Sequence, residues 1–448
     1  MTNPIYQRLF DRIHKMPVVD THEHMRVMNG QIGTIYREPI QALVVGYLTT
    51  DFLSAGAKPA DIELLQNPDA TTDEKWPIFK LLWESCQHTA YARVTQIVLH
   101  KQYGIQQLNR AALDQVSEKL ADQSLQKKIE MLKQSDIKAV ITDWLYPHPS
   151  QRQLRYYSNP VLKNFLEKSQ PSQELIRYTF NLPFFHEIRT REFIDFTSGL
   201  AQVDITSLKS YEEALFNLLK RSQERGIVAI KDQSAYRRPI DFTFPIRADA
   251  ERVFNRLLED GRTQLGWPDA RPLDDYLFQQ SMRFARELNL PVQIHTGHVT
   301  GLRNRVDKAN AALLAPTLEA HRQVNFDLFH GNWPYMGDLL FLAKSYPNVY
   351  INLCWLYIID PIYARELLKR AVMTVPNNKI FGFGGDYWDA PEFSLAHLEL
   401  AKQVIAQALT ELVEESWIDE EQAEKLALDW LYNNPNRFYK LGLPEISQ

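Results

Sequence analysis

Two histidines near the N-terminus, His22 and His24, have the spacing of a metal-binding pair. Residues i and i+2 of a β-strand project from the same face, so both imidazoles would point the same way from one strand. Neutral imidazole is a good ligand for Zn²⁺ and related divalent ions. The pair alone is a weak signal, because most such pairs in proteins bind nothing. Its meaning depends on the side chains that the fold brings beside it.

Further residues of suitable chemistry end other short apolar runs: Lys231 in GIVAIK, His295 in PVQIH, His330 in NFDLFH and Asp386 in KIFGFGGD. Histidine and carboxylate ligands can hold a divalent ion and leave one position for water, whose pKa the ion lowers toward neutrality. Asp386 could contact the ion and also accept the proton of that water as a general base. The pattern therefore predicts metal-assisted chemistry.

The elements that would position these residues are eight short apolar runs bounded by Gly, Pro, Asn or Asp, with helix-length sequence between them. Such runs are typical of buried parallel strands. They cover residues 17–21, 137–143, 182–186, 226–231, 291–295, 325–330, 349–354 and 379–386. The alternation predicts an α/β fold of the (β/α)8 TIM-barrel type, in which catalytic groups come from the C-terminal ends of several strands. A doubly wound sheet is disfavoured, because no Gly-rich phosphate turn follows an early strand.

A long segment, residues 25–135, interrupts this alternation after the first strand and has helical character, as in EKWPIFKLLWESC. Because it leaves the C-terminal end of a barrel strand, we expect a helical insertion that forms a lid over the barrel mouth. Packing on the side of the barrel is the alternative. Residues 394–441 predict two helices outside the barrel, and the whole chain, 1–448, is predicted to be a single barrel domain.

Composition limits the classes of function. The chain has 448 residues, 45% apolar and 23% charged, which is the balance of a globular protein. A net charge of -5 and the lack of a Lys/Arg run argue against nucleic-acid binding. No stretch resembles a membrane span or a secretory signal. Cys86 and Cys354 are far apart, which indicates unpaired thiols, and we expect a cytoplasmic protein.

Several segments after Gly226 resemble one enzyme superfamily. They are VAIKDQSAYRRPIDF, VQIHTGHVTG, FHGNWPYMGDLLFLAKSYPNVYINLCW and FGFGGDYWDAPE. They resemble the amidohydrolase-related branch of the amidohydrolase superfamily, and within it the amidohydrolase-like half of FluG-type proteins. The insertion is similar to the additions of uronate isomerases, which share the superfamily. The resemblance implies a metal site made by His22, His24, His295 and Asp386.

The resemblance leaves the number of metal ions open. In binuclear relatives a carboxylated strand-four lysine bridges two ions, and Lys231 and His330 fit that arrangement. In mononuclear relatives the sixth-strand histidine polarises the substrate or transfers a proton, which His330 also fits. We favour one divalent ion per chain, Zn²⁺ above others, because one metal is usual in the amidohydrolase-related branch. The catalytic residues implied are Asp386, His330 and Lys231.

Residues after the strand ends are candidates for substrate binding. Arg237 and Arg303 could bind a carboxylate bidentately, and Trp333, Tyr335 and Trp388 could form an aromatic wall. We expect a small carboxylate-bearing substrate and hydrolysis of an amide or related C–N bond. Alternatives are a non-hydrolytic reaction (decarboxylation of an aromatic acid or uronate-type isomerisation) and a catalytically silent binding protein, because one fold supports several chemistries. A homo-oligomer is compatible with the sequence.

Overall fold

The computed structural model describes residues 3–25, 27–28, 31–32, 36–120, 124–143, 175–388 and 390–447. Eight parallel strands form one sheet in chain order. They are β1 Val18–Glu23, β2 Ile137–Thr142, β3 Ile176–Asn181, β4 Ile227–Asp232, β5 Val292–Ile294, β6 Phe326–Leu328, β7 Val349–Asn352 and β8 Ile380–Phe381. A two-stranded hairpin, Val27–Met28 with Gln31–Ile32, follows β1.

The sheet closes on itself through the backbone that follows β8. The amide of Thr21 donates to the carbonyl of Phe383, the amide of Asp386 donates to the carbonyl of His22, and the amide of His24 donates to the carbonyl of Tyr387, at 3.2, 2.9 and 3.1 Å. The predicted α/β class and TIM-barrel architecture are therefore confirmed. The closure also joins the two chain segments that carry His22 and Asp386.

Helices surround the barrel. Those of the insertion are α2 Pro39–Leu43, α3 Leu48–Ser54, α4 Pro59–Gln66, α5 Thr72–Cys86, α6 Ala90–Val98, α7 Arg110–Lys119 and α8 Leu125–Gln134, with a π-turn at Leu99–Tyr103. The others are α1 Pro4–His14, α9 Pro183–His186, α10 Arg191–Ala201, α11 Leu208–Glu224, α12 Arg247–Glu259, α13 Trp267–Glu287, α14 Ala315–Ala320, α15 Met336–Ser345, α16 Leu356–Ile359, α17 Pro361–Thr374, α18 Pro391–Glu414, α19 Glu420–Leu428 and α20 Asn434–Phe438. A second π-turn covers Asp429–Asn433, and short 3-10 turns cover Ser234–Tyr236, Val306–Ala309, Ala311–Leu314, His330–Asn332 and Asn377–Lys379. None of the helices in the described ranges is both long and apolar enough to span a membrane.

The third strand lies earlier than the sequence predicted. Residues 182–186 were expected to form it, but Pro183–His186 is a helical turn and the strand is Ile176–Asn181. Proline has no N–H to give to a strand ladder and its fixed φ suits the first turn of a helix. Asn181 therefore ends β3 instead of His186. The buried His186 instead contacts Asp232, with 2.9 Å between Nε2 and Oδ2.

The described part of the insertion is mainly helical and has an apolar core of its own. This core includes Ile40, Phe52, Phe79, Trp83 and Leu113. The insertion reaches the barrel mouth at Tyr47, whose hydroxyl donates to the backbone carbonyl of Asp386. Its function as a lid stays a prediction.

The barrel interior contains a polar network among its apolar side chains. Gln293 Nε2 donates to the carbonyl of Thr21 and to the hydroxyl of Tyr439, at 3.1 and 2.8 Å. Asn352 Nδ2 donates to Asp327 Oδ2 at 2.9 Å, and Tyr439 donates to the same carboxylate. Tyr439 follows the last helix, so it binds the C-terminal segment directly to two barrel strands, β5 and β6.

The buried carboxyl of Asp327 predicts a pH-dependent stability. Burial raises the pKa of Asp327 to about 7, although Tyr439 and Asn352 oppose the shift. The unfolded chain releases this proton near pH 4 and the folded chain near pH 7, so the group's contribution to stability falls as pH rises between these values. We expect Asp327→Asn, which cannot ionise, to gain Tm relative to wild type as pH rises from 5 to 7, measured by thermal denaturation. A Tm difference that is constant over this range would contradict the assignment.

Candidate metal centre

His22, His24 and Asp386 come together at the C-terminal end of the barrel. The two histidines lie at the end of β1, and Asp386 lies on the stretch after β8 that hydrogen-bonds to it. Asp386 Oδ1 is 3.2 Å from His22 Nε2 and 3.0 Å from His24 Nε2. The three residues are 2%, 7% and 5% exposed, and their ligand atoms all lie within 4.8 Å of one another. Such a group can hold one small cation.

The charges in this group are strongly coupled. Burial raises the pKa of Asp386, but His22 and His24 outweigh it and hold that pKa well below its usual range. Burial lowers the pKa of His24, but the carboxylates of Asp143 and Asp386 outweigh it and raise that pKa to about 10. Burial and Lys231 lower the pKa of His22 to about 4. An ionised carboxylate thus lies between two imidazoles. The donor atoms that hold the proton of His24 could hold a divalent ion in its place.

Asp143, at the end of β2, orients His24. Its Oδ1 accepts from His24 Nδ1 at 2.7 Å, and its Oδ2 accepts from Gln233 Nε2 at 2.7 Å. Metal-binding histidines commonly donate their second ring N–H to a carboxylate, which fixes the tautomer. With Nδ1 held in this way, Nε2 of His24 is directed at Asp386. Asp143 was not among the predicted site residues, although it ends a predicted strand as Asp386 does.

Two further carboxyls of β1 hold the backbone on both sides of Asp386. Asp20 Oδ1 accepts from the amide of Gly385 at 3.0 Å, and Glu23 Oε2 accepts from the amide of Tyr387 at 2.8 Å. A Cβ at position 385 would lie 1.9 Å from Glu23 Oε1, so only glycine fits. Asp386 itself has a φ of 59°, which is uncommon for a residue other than glycine. Its conformation is therefore determined by its neighbours.

These donors fit one divalent ion. Two imidazole nitrogens and one carboxylate oxygen converge, and a His/carboxylate set suits Zn²⁺ while leaving a position open. In the described part of the chain, His22 Nδ1 has no hydrogen-bond partner, so no protein acceptor fixes the tautomer of this ring. The predicted ligands His22, His24 and Asp386 are thus brought together.

His295, the fourth predicted ligand, lies beside His330 and outside this group. His295 Nε2 donates to the carbonyl of His298 at 2.7 Å, and His330 Nδ1 donates to the carbonyl of Cys354 at 3.0 Å. The two remaining nitrogens, His295 Nδ1 and His330 Nε2, face each other at 3.0 Å. In neutral rings both would be acceptors, and burial lowers the pKa of both, that of His330 to about 3. Burial thus favours two unprotonated nitrogens here, each of which is a hydrogen-bond acceptor.

Lys231 is the residue before the last of β4, and its side chain packs against an aromatic ring. Its Nζ lies 3.3 Å from the centroid of the Phe329 ring, and burial lowers its pKa against the opposing effect of nearby acidic groups. The negative face of an aromatic ring attracts a cation. The same face would repel the anionic carbamate of a carboxylated lysine. This position therefore suits an unmodified amine.

The predicted substrate-binding residues are only partly near this centre. Arg237 forms a bidentate pair with Glu187 at 2.6 and 2.8 Å, and Arg303 is exposed. Trp388 contacts the His24 ring at 5.2 Å, whereas the Trp333 ring contacts His298 at 5.5 Å. Tyr335 is half-buried and precedes α15.

Aromatic rings that the sequence analysis did not select complete the surroundings. Phe329 lies 5.1 Å from His22, Tyr236 lies 4.8 Å from His295, and Trp355 lies 5.2 Å from His330, between ring centroids. Tyr47 of the insertion packs on Trp355 at 4.6 Å. Phe329, Tyr236 and Trp355 follow strands, and Tyr47 lies in the insertion. Aromatic residues in the loops after predicted strands are therefore the sequence signal that could have identified the first three.

Comparison with known proteins places the second half of the chain near one family. Residues 221–441 match the family model described as amidohydrolase. The resemblance to the amidohydrolase superfamily is confirmed. The chain is 27% identical over 229 residues to Protein fluG of Emericella nidulans. This alignment covers 48% of this chain and 26% of that protein. It is 28% identical over 220 residues to a uronate isomerase of Phenylobacterium zucineum, which covers 44% of each. These alignments span less than half of either relative.

The fold is shared over the full length. The crystal structure of uronate isomerase from Thermotoga maritima matches 98% of both chains with a TM-score of 0.76 and 16% sequence identity. At this identity the match shows the fold alone. The shared architecture includes the insertion.

The metal centre leads to a prediction about stoichiometry. We expect wild type to bind close to one Zn²⁺ per chain, and His24→Ala and Asp386→Ala to bind almost none, because each removes one of three converging donors. His295→Ala should retain the ion. Metal content after gel filtration measures this, with His14→Ala, an exposed histidine of α1, as the control. Two ions in wild type, falling in Lys231→Ala and restored by short-chain carboxylic acids, would instead indicate a binuclear centre.

The orientation of His24 by Asp143 leads to a second prediction. Asp143→Asn removes the charge that fixes the ring, so we expect Zn²⁺ affinity to fall by about 10–100-fold. Competition with a chromophoric chelator measures the affinity, and Asp136→Asn, an exposed position just before β2, is the matched control. Equal affinities in wild type and Asp143→Asn would show that Asp143 does not support the centre.

Proposed function

We propose that the chain is a metal-dependent hydrolase that cleaves an amide or related C–N bond of a small carboxylate-bearing molecule. The observation that carries this proposal is the convergence of His22, His24 and Asp386 on one point of the barrel mouth. A divalent ion held there, Zn²⁺ by preference, would polarise a carbonyl and make hydroxide available near neutral pH. In the overall reaction water adds to the carbonyl carbon, the C–N bond breaks, and the nitrogen leaves with a proton.

Asp386 is the proton acceptor in this proposal. Its low pKa keeps the carboxylate ionised, and Oδ1 is engaged with the two histidines while Oδ2 lies 3.9 Å from His330 Nε2. Asp386 would take a proton from the attacking water and return it to the leaving nitrogen. Because the pKa of His330 is lowered to about 3, its Nε2 stays an acceptor that can hold a substrate N–H.

One ion is proposed rather than two. The position of Lys231 against the face of Phe329 supports this, because the ring disfavours a bridging carbamate. His295 and His330 then act on the substrate or its protons. The aromatic rings around the centre exclude water, which strengthens the electrostatic interactions within it.

The second candidate is isomerisation of a uronate-type sugar acid, and the full-length similarity to uronate isomerases favours it. Such a substrate presents a hydroxyl on almost every carbon, and each needs a polar partner. In the described residues, the rings against the candidate ligands and His330 are Phe329, Trp388, Tyr236 and Trp355. This mostly apolar wall favours a substrate with an aromatic or aliphatic body, and therefore hydrolysis of an acyl amide over isomerisation of a sugar. Decarboxylation of an aromatic acid is compatible with the same wall.

The test is turnover by the Zn²⁺-loaded protein. We expect release of amine from N-acyl amino acids or γ-glutamyl amides, and loss of this activity in Asp386→Asn, which weakens a ligand of the ion and removes the proton acceptor. Asp307→Asn, on an exposed loop, should leave kcat unchanged. Aromatic acids, glucuronate and galacturonate belong in the same panel.

Each alternative gives a distinct result in that panel. Ketose formation from a uronate without amide cleavage would replace the proposal with isomerisation. Loss of carbon dioxide from an aromatic acid would replace it with decarboxylation. A protein that binds Zn²⁺ and turns over none of the panel would support a binding role.

A further inference from the structure

Asn181 is a buried polar side chain at the barrel mouth that the proposed reaction does not use. It is the last residue of β3, and it is 1% exposed. Neither its Nδ2 nor its Oδ1 has a hydrogen-bond partner in the described ranges. Buried amides in native proteins are almost always hydrogen-bonded, so an amide with both atoms unpaired needs an explanation.

Lys231 is its direct neighbour on β4. The two residues are register partners in the parallel pairing of β3 and β4. Partners on adjacent parallel strands lie about 4.8 Å apart and project from the same face of the sheet. Lys231 is also 1% exposed, and its Nζ likewise has no hydrogen-bond partner among the described residues. Neighbouring positions on β3 and β4 therefore carry an amide and an amine that both lack a hydrogen-bond partner among the described residues.

Phe329 connects this pair to the metal centre. The centroid of its ring lies 3.3 Å from Lys231 Nζ and 5.1 Å from the centroid of the His22 ring, which belongs to β1. A ligand that touched Nζ would thus lie next to the group of His22, His24 and Asp386. The arginines that the sequence analysis selected for a substrate carboxylate do not offer this, because Arg237 is paired with Glu187 and Arg303 is exposed.

We propose that Asn181 and Lys231 form the binding subsite for the carboxylate of the substrate. An ammonium and an amide N–H together offer donors to both oxygens of one carboxylate, and the charge-assisted bond supplies most of the attraction. Asn181 Oδ1 remains as an acceptor for an N–H group next to that carboxylate, as in an N-acyl amino acid. The identification of the ligand as substrate rests on the proposed function, whereas the anion site itself does not.

A purely structural role for the pair makes the opposite prediction for stability. If the two side chains supported the fold, replacing them would lower Tm. Because they make no hydrogen bonds, replacing them with apolar residues removes an unsatisfied polar group and should keep or raise Tm, by about 1–3 °C. Function and stability therefore oppose each other at these positions.

The experiment measures binding of benzoate, with benzyl alcohol as the uncharged probe of similar shape, to the Zn²⁺-loaded full-length protein by calorimetry. We expect Asn181→Ala and Lys231→Met each to weaken benzoate binding by about tenfold or more, the loss of one hydrogen bond to a charged group. Binding of benzyl alcohol should not change. Asn325→Ala, at the opposite end of a barrel strand, and Lys138→Met, on the exposed side of β2, are matched controls that should bind like wild type.

The outcomes separate the subsite from the reaction. Benzoate binding that is unchanged in both variants, or a lower Tm in both with equal affinity, would overturn the subsite whatever the protein catalyses. Weaker benzoate binding with an unchanged or higher Tm supports it. If that result is found and no amide in the panel is cleaved, the subsite stands and the hydrolase proposal fails.

Discussion

The closure of the barrel between its first and last strands is the constraint on which the candidate centre depends. The amide of Asp386 donates to the carbonyl of His22, and the amide of His24 donates to the carbonyl of Tyr387. These backbone bonds set the distance between the histidine pair and the carboxylate, because side chains on paired segments cannot separate without breaking the sheet. Barrel geometry thus positions the ligands before any side-chain contact contributes.

Burying several charged groups next to one another costs free energy, and neighbouring carboxyls offset this cost. Asp143 neutralises His24 from one side, while Asp20 and Glu23 bind the amides on either side of Asp386. Burial raises the pKa of Asp20 to about 7 and that of Glu23 well above its usual range, so this coupled pair retains a proton. The backbone is then held by two carboxyls without two added negative charges next to Asp386.

Sequence patterns were sufficient for the barrel, because apolar runs are local features. They also selected His22, His24 and Asp386, which the structure brings together, whereas the ligand role of these residues and of His295 stays a prediction. Prediction was wrong for the third strand, where an apolar run containing Pro183 is a helical turn and Asn181 is the true strand end. The pairing of Arg237 with Glu187 joins residues 50 positions apart, and no local pattern reveals it. Trp355 is likewise defined by its packing on Tyr47 of the insertion and on His330.

The polar network inside the barrel has a consequence for the order in which the molecule is assembled. Tyr439, close to the C-terminus, is bonded to Gln293 and Asp327 within the barrel, and Asp386 is separated from His22 by most of the chain. During synthesis the histidine pair emerges before Asp386 and can meet this carboxylate only after residue 386 has been made. Domains with such distant contacts close late. The candidate ligands His22, His24 and Asp386 therefore converge only when the segment after β8 pairs with β1, and a chain that stopped before Asp386 would lack one of them.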